Sequence, residues 1–202
     1  SFPTRRSSDL VREFKPGDRV AYVDPIGSYA EVLLRPVQRL VKIPAGVSDR
    51  TAAAMMLKGM TAQYLLKRTY KLKKGDTILV HAAAGGVGQI QCQWAKYLGA
   101  TVIGTVGSDD KAPLAKKAGC RHVLITSRDQ VSERVKEITK GAGVPVVYDG
   151  IGKDTFMDSL DCLAPFGLMV TYGNASGAVP PFNPVLLRSE ERRVGKECRS
   201  RW

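Results

Sequence analysis

The run Asp76–Lys111, DTILVHAAAGGVGQIQCQWAKYLGATVIGTVGSDDK, decides the fold. Thr77-Ile78-Leu79-Val80 is a short unbroken apolar stretch, the pattern of a parallel strand covered on both faces. Ala83-x-Gly85-x-x-Gly88 follows with the spacing of a dinucleotide-binding fingerprint, Ala83 standing where the first glycine is usual. In that pattern Gly85 lets the backbone approach a pyrophosphate, and Gly88 lets the helix pack closely on the strand. A helix is expected over about Gly86 to Leu98, so Gly86 and Val87 open its first turn and aim its positive end at the same anion. Gly99 is placed to end that helix, and Thr101–Val106 reads as the next buried strand. The glycines alone are a weak signal. Strand, turn, helix and strand in sequence make it a strong one, against the alternative of a purely structural turn.

The second strand's end bears on which dinucleotide is bound. In NAD-binding units an acidic side chain about 20 residues beyond the fingerprint bonds the ribose 2′-OH. Here the strand ends in Val106 and Gly107, neutral and small, followed by Ser108 and Lys111, a hydroxyl and a cation suited to a 2′-phosphate. An ordinary solvated lysine is the plain alternative for Lys111. Asp109 and Asp110 are read as starting the next helix rather than as ribose contacts. NADPH is favoured over NADH.

The termini read differently from the body. Ser1–Leu10 can be encoded by TCT TTC CCT ACA CGA CGC TCT TCC GAT CT, and the reverse complement of that DNA, read from AGA, encodes RSEERRVGK, the run Arg188–Lys196. Residues 1–10 and 188–202 are therefore expected to be non-native, a translated sequencing-library adapter, and are set aside from fold reasoning. A genuine basic tail that binds nucleic acid is the alternative. The whole chain has 31 Lys+Arg, 19 Asp+Glu and a net charge of +12; without the ends, 23 basic and 15 acidic side chains leave +8. These charges are dispersed, which fits a solvated surface and an anionic cofactor better than a dedicated nucleic-acid face. Cys92, Cys120 and Cys162 lack CxxC spacing, and Cys92 and Cys162 fall in helical patterns; reduced, buried thiols of a cytoplasmic protein are expected. No apolar run approaches the roughly 20 residues of a membrane span, and no signal peptide is visible.

From Val11 the chain is β-rich. A turn at Lys15-Pro16-Gly17-Asp18 leads into the strand Arg19–Tyr22, Ser28–Leu34 alternates like a half-buried strand, and Leu40–Ile43 forms another. Ser48 and Asp49 can cap a helix from Asp49 to about Leu57, with Met60–Arg68 continuing after Gly59. Beyond the fingerprint come a helix Asp110–Ala118 ended by Gly119, a strand His122–Ile125, and a helix from Ser127 or Asp129 to Lys140. A strand Val144–Tyr148, a helix Lys153–Leu163 and a strand Gly167–Tyr172 complete the series. This alternation means an α/β class fold with a doubly wound parallel sheet, whose ligands sit outside the carboxyl ends of its strands. Those ends carry His81, Val106, Thr126, Asp149 and Gly173.

The blocks KPGDRVAY, GSYAEVLL, LKGMTAQYLL, HAAAGGVGQIQCQWAKYLGATVIGTVGS, KEIT, VYDGIG and LDCLAPFGLMVTYGNASG together resemble the zinc-independent quinone oxidoreductases of the medium-chain dehydrogenase/reductase superfamily. The resemblance spans Val11–Leu187. It implies the end of a GroES-like β domain over 11–48 and a truncated NADP-binding Rossmann domain over 49–187. It also implies NADPH as cofactor, a small-molecule quinone as substrate and a homodimer for the full-length protein. By resemblance Lys58 and Thr61 lie near the nicotinamide, and Tyr172, Gly173, Asn174 and Ser176 border its carboxamide; a salt-bridged structural role is the alternative for Lys58. Ser127 stands beside the 2′-phosphate, where the family often has Tyr. Zinc-dependent relatives carry a four-cysteine lobe between the strands GDRV and GSYAEV, and a zinc-binding Cys two residues before the glycine of GxTA. Here only six residues separate Val20 from Gly27, none of them Cys, and Leu57 precedes Gly59-Met60-Thr61-Ala62, so no metal is expected.

The leading expectation is metal-free hydride transfer from NADPH to a quinone. Reduction of an activated C=C bond in an enone or enoyl thioester is the second. A non-enzymatic crystallin-like or RNA-binding role is a third, disfavoured by the lack of an aromatic-plus-basic platform.

Overall fold

A computed structural model describes residues 13–23 and 26–187; the terminal runs expected to be non-native, residues 1–10 and 188–202, lie outside the described residues. The chain divides into two units, residues 1–60 and 61–202. In the first, β1 (Val20–Ala21) pairs antiparallel with β2 (Val41–Lys42), Val20 opposite Lys42. The preceding turn closes as its sequence dictates: Asp18 N–H donates to Lys15 C=O at 3.1 Å, with Gly17 at a φ of 90° that glycine adopts without strain. Lys42 beside Asp18 (2.9 Å) holds that carboxyl below its usual range. Ser28–Leu34 does not form the expected strand. It runs as bends, with Tyr29, Val32 and Leu34 exposed, because alternation makes a strand only where a neighbouring strand pairs its backbone and a core takes its apolar face.

The first helix, α1 (Asp49–Tyr64), is capped as expected, Thr51 N–H donating to Ser48 Oγ at 3.1 Å. The break expected at Gly59 is absent; α1 passes through it and closes in a wider turn over Leu65–Thr69, where Tyr70 N–H reaches Leu65 C=O at 3.2 Å.

The second unit holds β3 (Thr77–Val80), α2 (Gly86–Tyr97), β4 (Thr101–Val106), α3 (Ala112–Lys117), β5 (His122–Ile125), α4 (Val131–Ile138), β6 (Val144–Asp149), α5 (Phe156–Asp161) and β7 (Leu163–Thr171). Its five strands pair in parallel in the order β5-β4-β3-β6-β7. This is a Rossmann α/β sheet. Alternate residues of β3 enter separate cores: Ile78 and Val80 join Cys92, Ala95 and Ala115 from α2 and α3, while Leu79 joins Val131 and Val135 of α4. Burial on both faces explains why β3 and β4 read as continuous apolar runs.

Element limits shift where side chains take other work. Asp129 does not start a helix: its carboxylate accepts the Ile125 N–H at 2.6 Å, and α4 begins at Val131. Asp109–Lys111 forms a single 3-10 turn ahead of α3. The helix expected over Lys153–Leu163 is only Phe156–Asp161, and β7 starts early. Register slips between the pairs Val144–Leu163 and Val146–Leu168 to fit Pro165 and Phe166, the latter at a φ of 59°. Cys162 therefore follows α5 rather than lying within it. All three described cysteines are buried and outside any disulfide, with Cys120 Sγ at 3.5 Å from Cys92 Sγ. Among the described residues no helix is long and apolar enough to cross a membrane.

One core position conflicts with its surroundings. Gln91, on the buried side of α2 with Gly88, Cys92 and Ala95, is wholly buried, and neither its amide oxygen nor its nitrogen has a partner among the described residues. Such a group costs about 1–3 kcal/mol in desolvation. Gln91→Met keeps length and helix propensity, so it is expected to raise unfolding stability by about 1 kcal/mol, read as a higher urea midpoint at unchanged slope. A lowered midpoint would show that the amide has a partner in solution.

Candidate functional site

Strand order reverses between β3 and β6, and the crevice at such a point is where open α/β sheets receive ligands. The turn leaving β3 lies there. Ala82 takes a φ of 51°, Ala83 N–H donates to Thr105 C=O at 2.9 Å, and Gly85 N–H closes on Ala82 C=O at 2.8 Å. A Cβ on Gly88 would overlap the Ala82 carbonyl oxygen and lie 2.9 Å from Ala83 Cα, so only glycine lets α2 approach this closely. Gly85 and Gly86 stand exposed at the crest while Ala83 and Gly88 are buried beneath it. The first bond of α2 runs from Gln89 N–H to Gly85 C=O at 2.9 Å, which leaves the N–H groups of Gly86, Val87 and Gly88 ahead of the helical ladder. First-turn N–H groups at the positive end of a 12-residue helix are a site for an anion.

A buried polar chain, which sequence reading did not assemble, holds this turn to the β6 end. Asp149, wholly buried, accepts the N–H groups of Ile151 (2.8 Å) and Gly152 (3.0 Å) on Oδ1, and the hydroxyls of Thr155 (2.7 Å) and Ser159 (2.9 Å) on Oδ2. Ser159 Oγ is also 2.9 Å from His81 Nε2, and His81 Nδ1 is 3.0 Å from Thr105 Oγ1. Because Ser159 gives its one proton to Asp149, its oxygen accepts from His81, which places the ring proton on Nε2 and leaves Nδ1 to accept from Thr105. Burial lowers the His81 pKa from its ordinary value, against the opposing pull of Asp149 and Asp158. The ring is a neutral strut. Its signal in the sequence is slight: an Asp followed by Gly152, with Thr155 and Ser159 four apart on one helix face.

The loops after β6 and β7 are knitted together. Tyr172 N–H donates to Asp149 C=O (2.9 Å) and Ser176 N–H to Ile151 C=O (2.8 Å), and Cβ atoms on Gly150, Gly152 or Gly173 would each strike the facing loop. The Ser176 hydroxyl donates to Ile151 C=O at 3.0 Å and accepts from Asp154 N–H, so its proton is committed to the loop. Tyr172 is half-buried, and burial with Asp149 nearby pushes its phenol up to about 12. Asn174 is exposed at the tip.

At the other side of the sheet edge, Thr126 N–H donates to Val106 C=O at 2.9 Å and sets the loops after β4 and β5 side by side. They carry Gly107, half-buried Ser108 and exposed Lys111 on one, exposed Ser127 on the other. Arg128, which sequence reading missed, reaches Asp109 across them. The carboxyl edge thus gathers the candidates Ala83–Gly88, Gly107, Ser108, Lys111, Ser127 and Tyr172–Ser176. Lys58 and Thr61 are carried by α1, with Lys58 exposed.

A family model described as zinc-binding dehydrogenase matches residues 86–198. A quinone oxidoreductase of Pseudomonas aeruginosa is 53% identical over 86% of this chain and 54% of its own length. A 2-haloacrylate reductase of a Burkholderia species is 51% identical over 87% of this chain and 54% of its own. The crystal structure of Escherichia coli quinone oxidoreductase complexed with NADPH superposes with a TM-score of 0.85 at 48% identity, covering 90% of this chain and 56% of that one. The chain spans about half the length of the curated relatives it matches. Among the described residues no three or more His, Cys, Asp or Glu side chains gather into a metal site, so they do not fit the zinc of the family's description. A match over more than half of its length, on a sheet of Rossmann order, makes this chain a member of the zinc-binding dehydrogenase family.

Proposed function

We propose that the chain is the cofactor-binding portion of an NADPH-dependent quinone oxidoreductase. The observation that carries this reading is the Ala82–Gly88 turn at the strand-order reversal, where a buried glycine admits α2 and leaves its first-turn N–H groups for a pyrophosphate. Hydride for a quinone or similar electrophile is the chemistry that a reduced nicotinamide supplies when bound. The chain's own residues bind and orient. Gly85, Gly86, Val87 and Gly88 hold the pyrophosphate, with buried Ala83 beneath it; Gly107, Ser108, Lys111 and Ser127 receive a 2′-phosphate. Tyr172, Gly173 and Asn174 border the nicotinamide, the Tyr172 phenol staying protonated as a donor, and Ser176 braces their loop. By resemblance, Lys58 and Thr61 are assigned a place near the nicotinamide. The full-length protein is proposed to be a cytoplasmic homodimer.

Binding of NADPH and NADH to the whole chain, followed by calorimetry, tests the reading. Lys111→Ala is expected to weaken NADPH about tenfold, one charge-assisted contact, and to leave NADH unchanged. Equal binding of both nucleotides by the unaltered chain would remove the case for a 2′-phosphate site. A 2-haloacrylate reductase among similar relatives favours a second reading, reduction of an activated C=C bond, with the same cofactor site. Turnover of menadione against an enone by the full-length protein separates the two.

A further inference from the structure

We propose that Arg128 is a specificity-determining residue for 2′-phosphorylated dinucleotides, acting as a guanidinium that covers Asp109 until a phosphate takes the carboxylate's place. The inference rests on the dinucleotide-binding reading of this chain and adds to it a residue and a mechanism of selection. Asp109 stands 21 residues beyond Gly88, the distance at which an acidic side chain reads a ribose 2′-OH in NAD-binding units. Spacing thus leaves Asp109 within reach of a ribose, just past the neutral strand end at Val106 and Gly107. The structure engages that carboxylate elsewhere: Arg128 Nη1 lies 2.9 Å from Asp109 Oδ1 and 3.1 Å from its Oδ2.

The pairing is set by the sheet. β4 and β5 run in parallel with Val106 opposite Ile125, and the Thr126 N–H bond to Val106 C=O aligns the two loops that leave these strands. Arg128 N–H donates to Ile125 C=O at 3.0 Å, closing the turn that directs its side chain toward the β4 loop. The competing carboxylate, Asp129, is tied to Ile125 N–H at 2.6 Å and stands 3.9 Å from Arg128 Nε, so Asp109 is the stronger partner. Both members of the main pair are well exposed, at 60% and 69% of the side-chain surface. A pair that open to water is weak and readily exchanged. A phosphate offers the planar guanidinium fork more charge and a third oxygen, and Ser108 and Lys111 lie on the same loop as Asp109 to complete its surroundings. An uncovered Asp109 would repel that phosphate and accept from a 2′-OH. Arg128 reverses the preference.

The test is calorimetric binding of NADPH, NADH and adenosine 2′,5′-bisphosphate to the whole chain and its variants. Arg128→Ala is expected to weaken NADPH and the bisphosphate at least tenfold while NADH binds as well or better. Arg128→Lys should recover only part of the loss, because an ammonium lacks the fork. Asp109→Asn should tighten NADPH several-fold without improving NADH. Unchanged NADPH binding in Arg128→Ala, with NADH binding intact, overturns the role of Arg128 and leaves the dinucleotide reading standing. Equal weakening of both nucleotides also overturns it, as a general loss of structure. No binding of any nucleotide by the unaltered chain overturns both readings together.

Discussion

Gly88→Ala is expected to abolish measurable dinucleotide binding and to lower unfolding stability by about 2 kcal/mol, although alanine is the better helix former. The helix term favours the variant by about 1 kcal/mol. Opposing it, the new Cβ would overlap the Ala82 carbonyl oxygen and sit 2.9 and 3.0 Å from Ala83 Cα and C. None of these is the end of a flexible side chain. Ala82 already sits at a φ of 51°, Ala83 is bonded to Thr105, and Gly85 closes back on Ala82, so the turn has no slack to give. Relief must come from α2 moving off β3, which opens the core between Cys92, Ala95 and Val80; overpacking of this kind costs about 1–3 kcal/mol and sometimes more. The same movement carries the first-turn N–H groups away from the pyrophosphate they are proposed to hold. Gly59→Ala in α1 is the control, since a Cβ there would lie 3.5 Å from Met55 Cε, an ordinary contact. Urea unfolding and NADPH titration of both variants decide it, and Gly88→Ala matching Gly59→Ala in both would show that close packing at this turn is not required.

The same physics decides how much of the molecule is legible in its sequence. β3, the glycine turn, α2 and β4 are legible because burial on both faces leaves an apolar run and close packing leaves a glycine where nothing larger fits. Gly99 ends α2 with a φ of 83° and an Ala100 N–H to Ala95 C=O bond, a local device with a local signal. Misreadings arise where a residue type serves two purposes. Asp129 has the look of a helix cap and instead caps the end of β5; Gly59 has the look of a break and passes unremarked within α1. Ser28–Leu34 alternates like a strand, but alternation records only a preference and the pairing must come from elsewhere. Least legible are the long-range polar contacts. His81 meets Ser159 across 78 residues and Arg128 meets Asp109 across 19, and no pattern within either segment records the other.

The buried chain through His81 and Ser159 supplies the second large effect. Asp149→Ala is expected to destabilise the fold by about 4 kcal/mol, enough to unfold much of the protein at 37 °C. The substitution leaves two backbone N–H groups and the hydroxyls of Thr155 and Ser159 without the acceptor they share, each buried or nearly so, at about 1–3 kcal/mol for each group left unpaired, less where a hydroxyl can turn to another partner. Asp149→Asn separates charge from shape. Its oxygen can keep Ile151 and Gly152, but its NH2 then faces two hydroxyls that had been donating. Ser159 must turn its proton toward His81 Nε2, which forces the ring proton onto Nδ1 and reverses the Thr105 bond. A loss of about half that of the alanine variant is expected. The pH dependence comes from the same ring. Burial sets the folded pKa of His81 below the roughly 6.5 of the unfolded chain, so below that value the unfolded state binds the extra proton. Stability is therefore fully present above about pH 6.5 and falls as pH drops through and below it, before most carboxylates titrate. His81→Gln is expected to be less stable at pH 7 yet to lose little further between pH 6.5 and 5. If urea midpoints for the variant and the unaltered chain fall in parallel over that range, His81 is not the group that titrates, and the neutral strut is the wrong picture of the site's foundation.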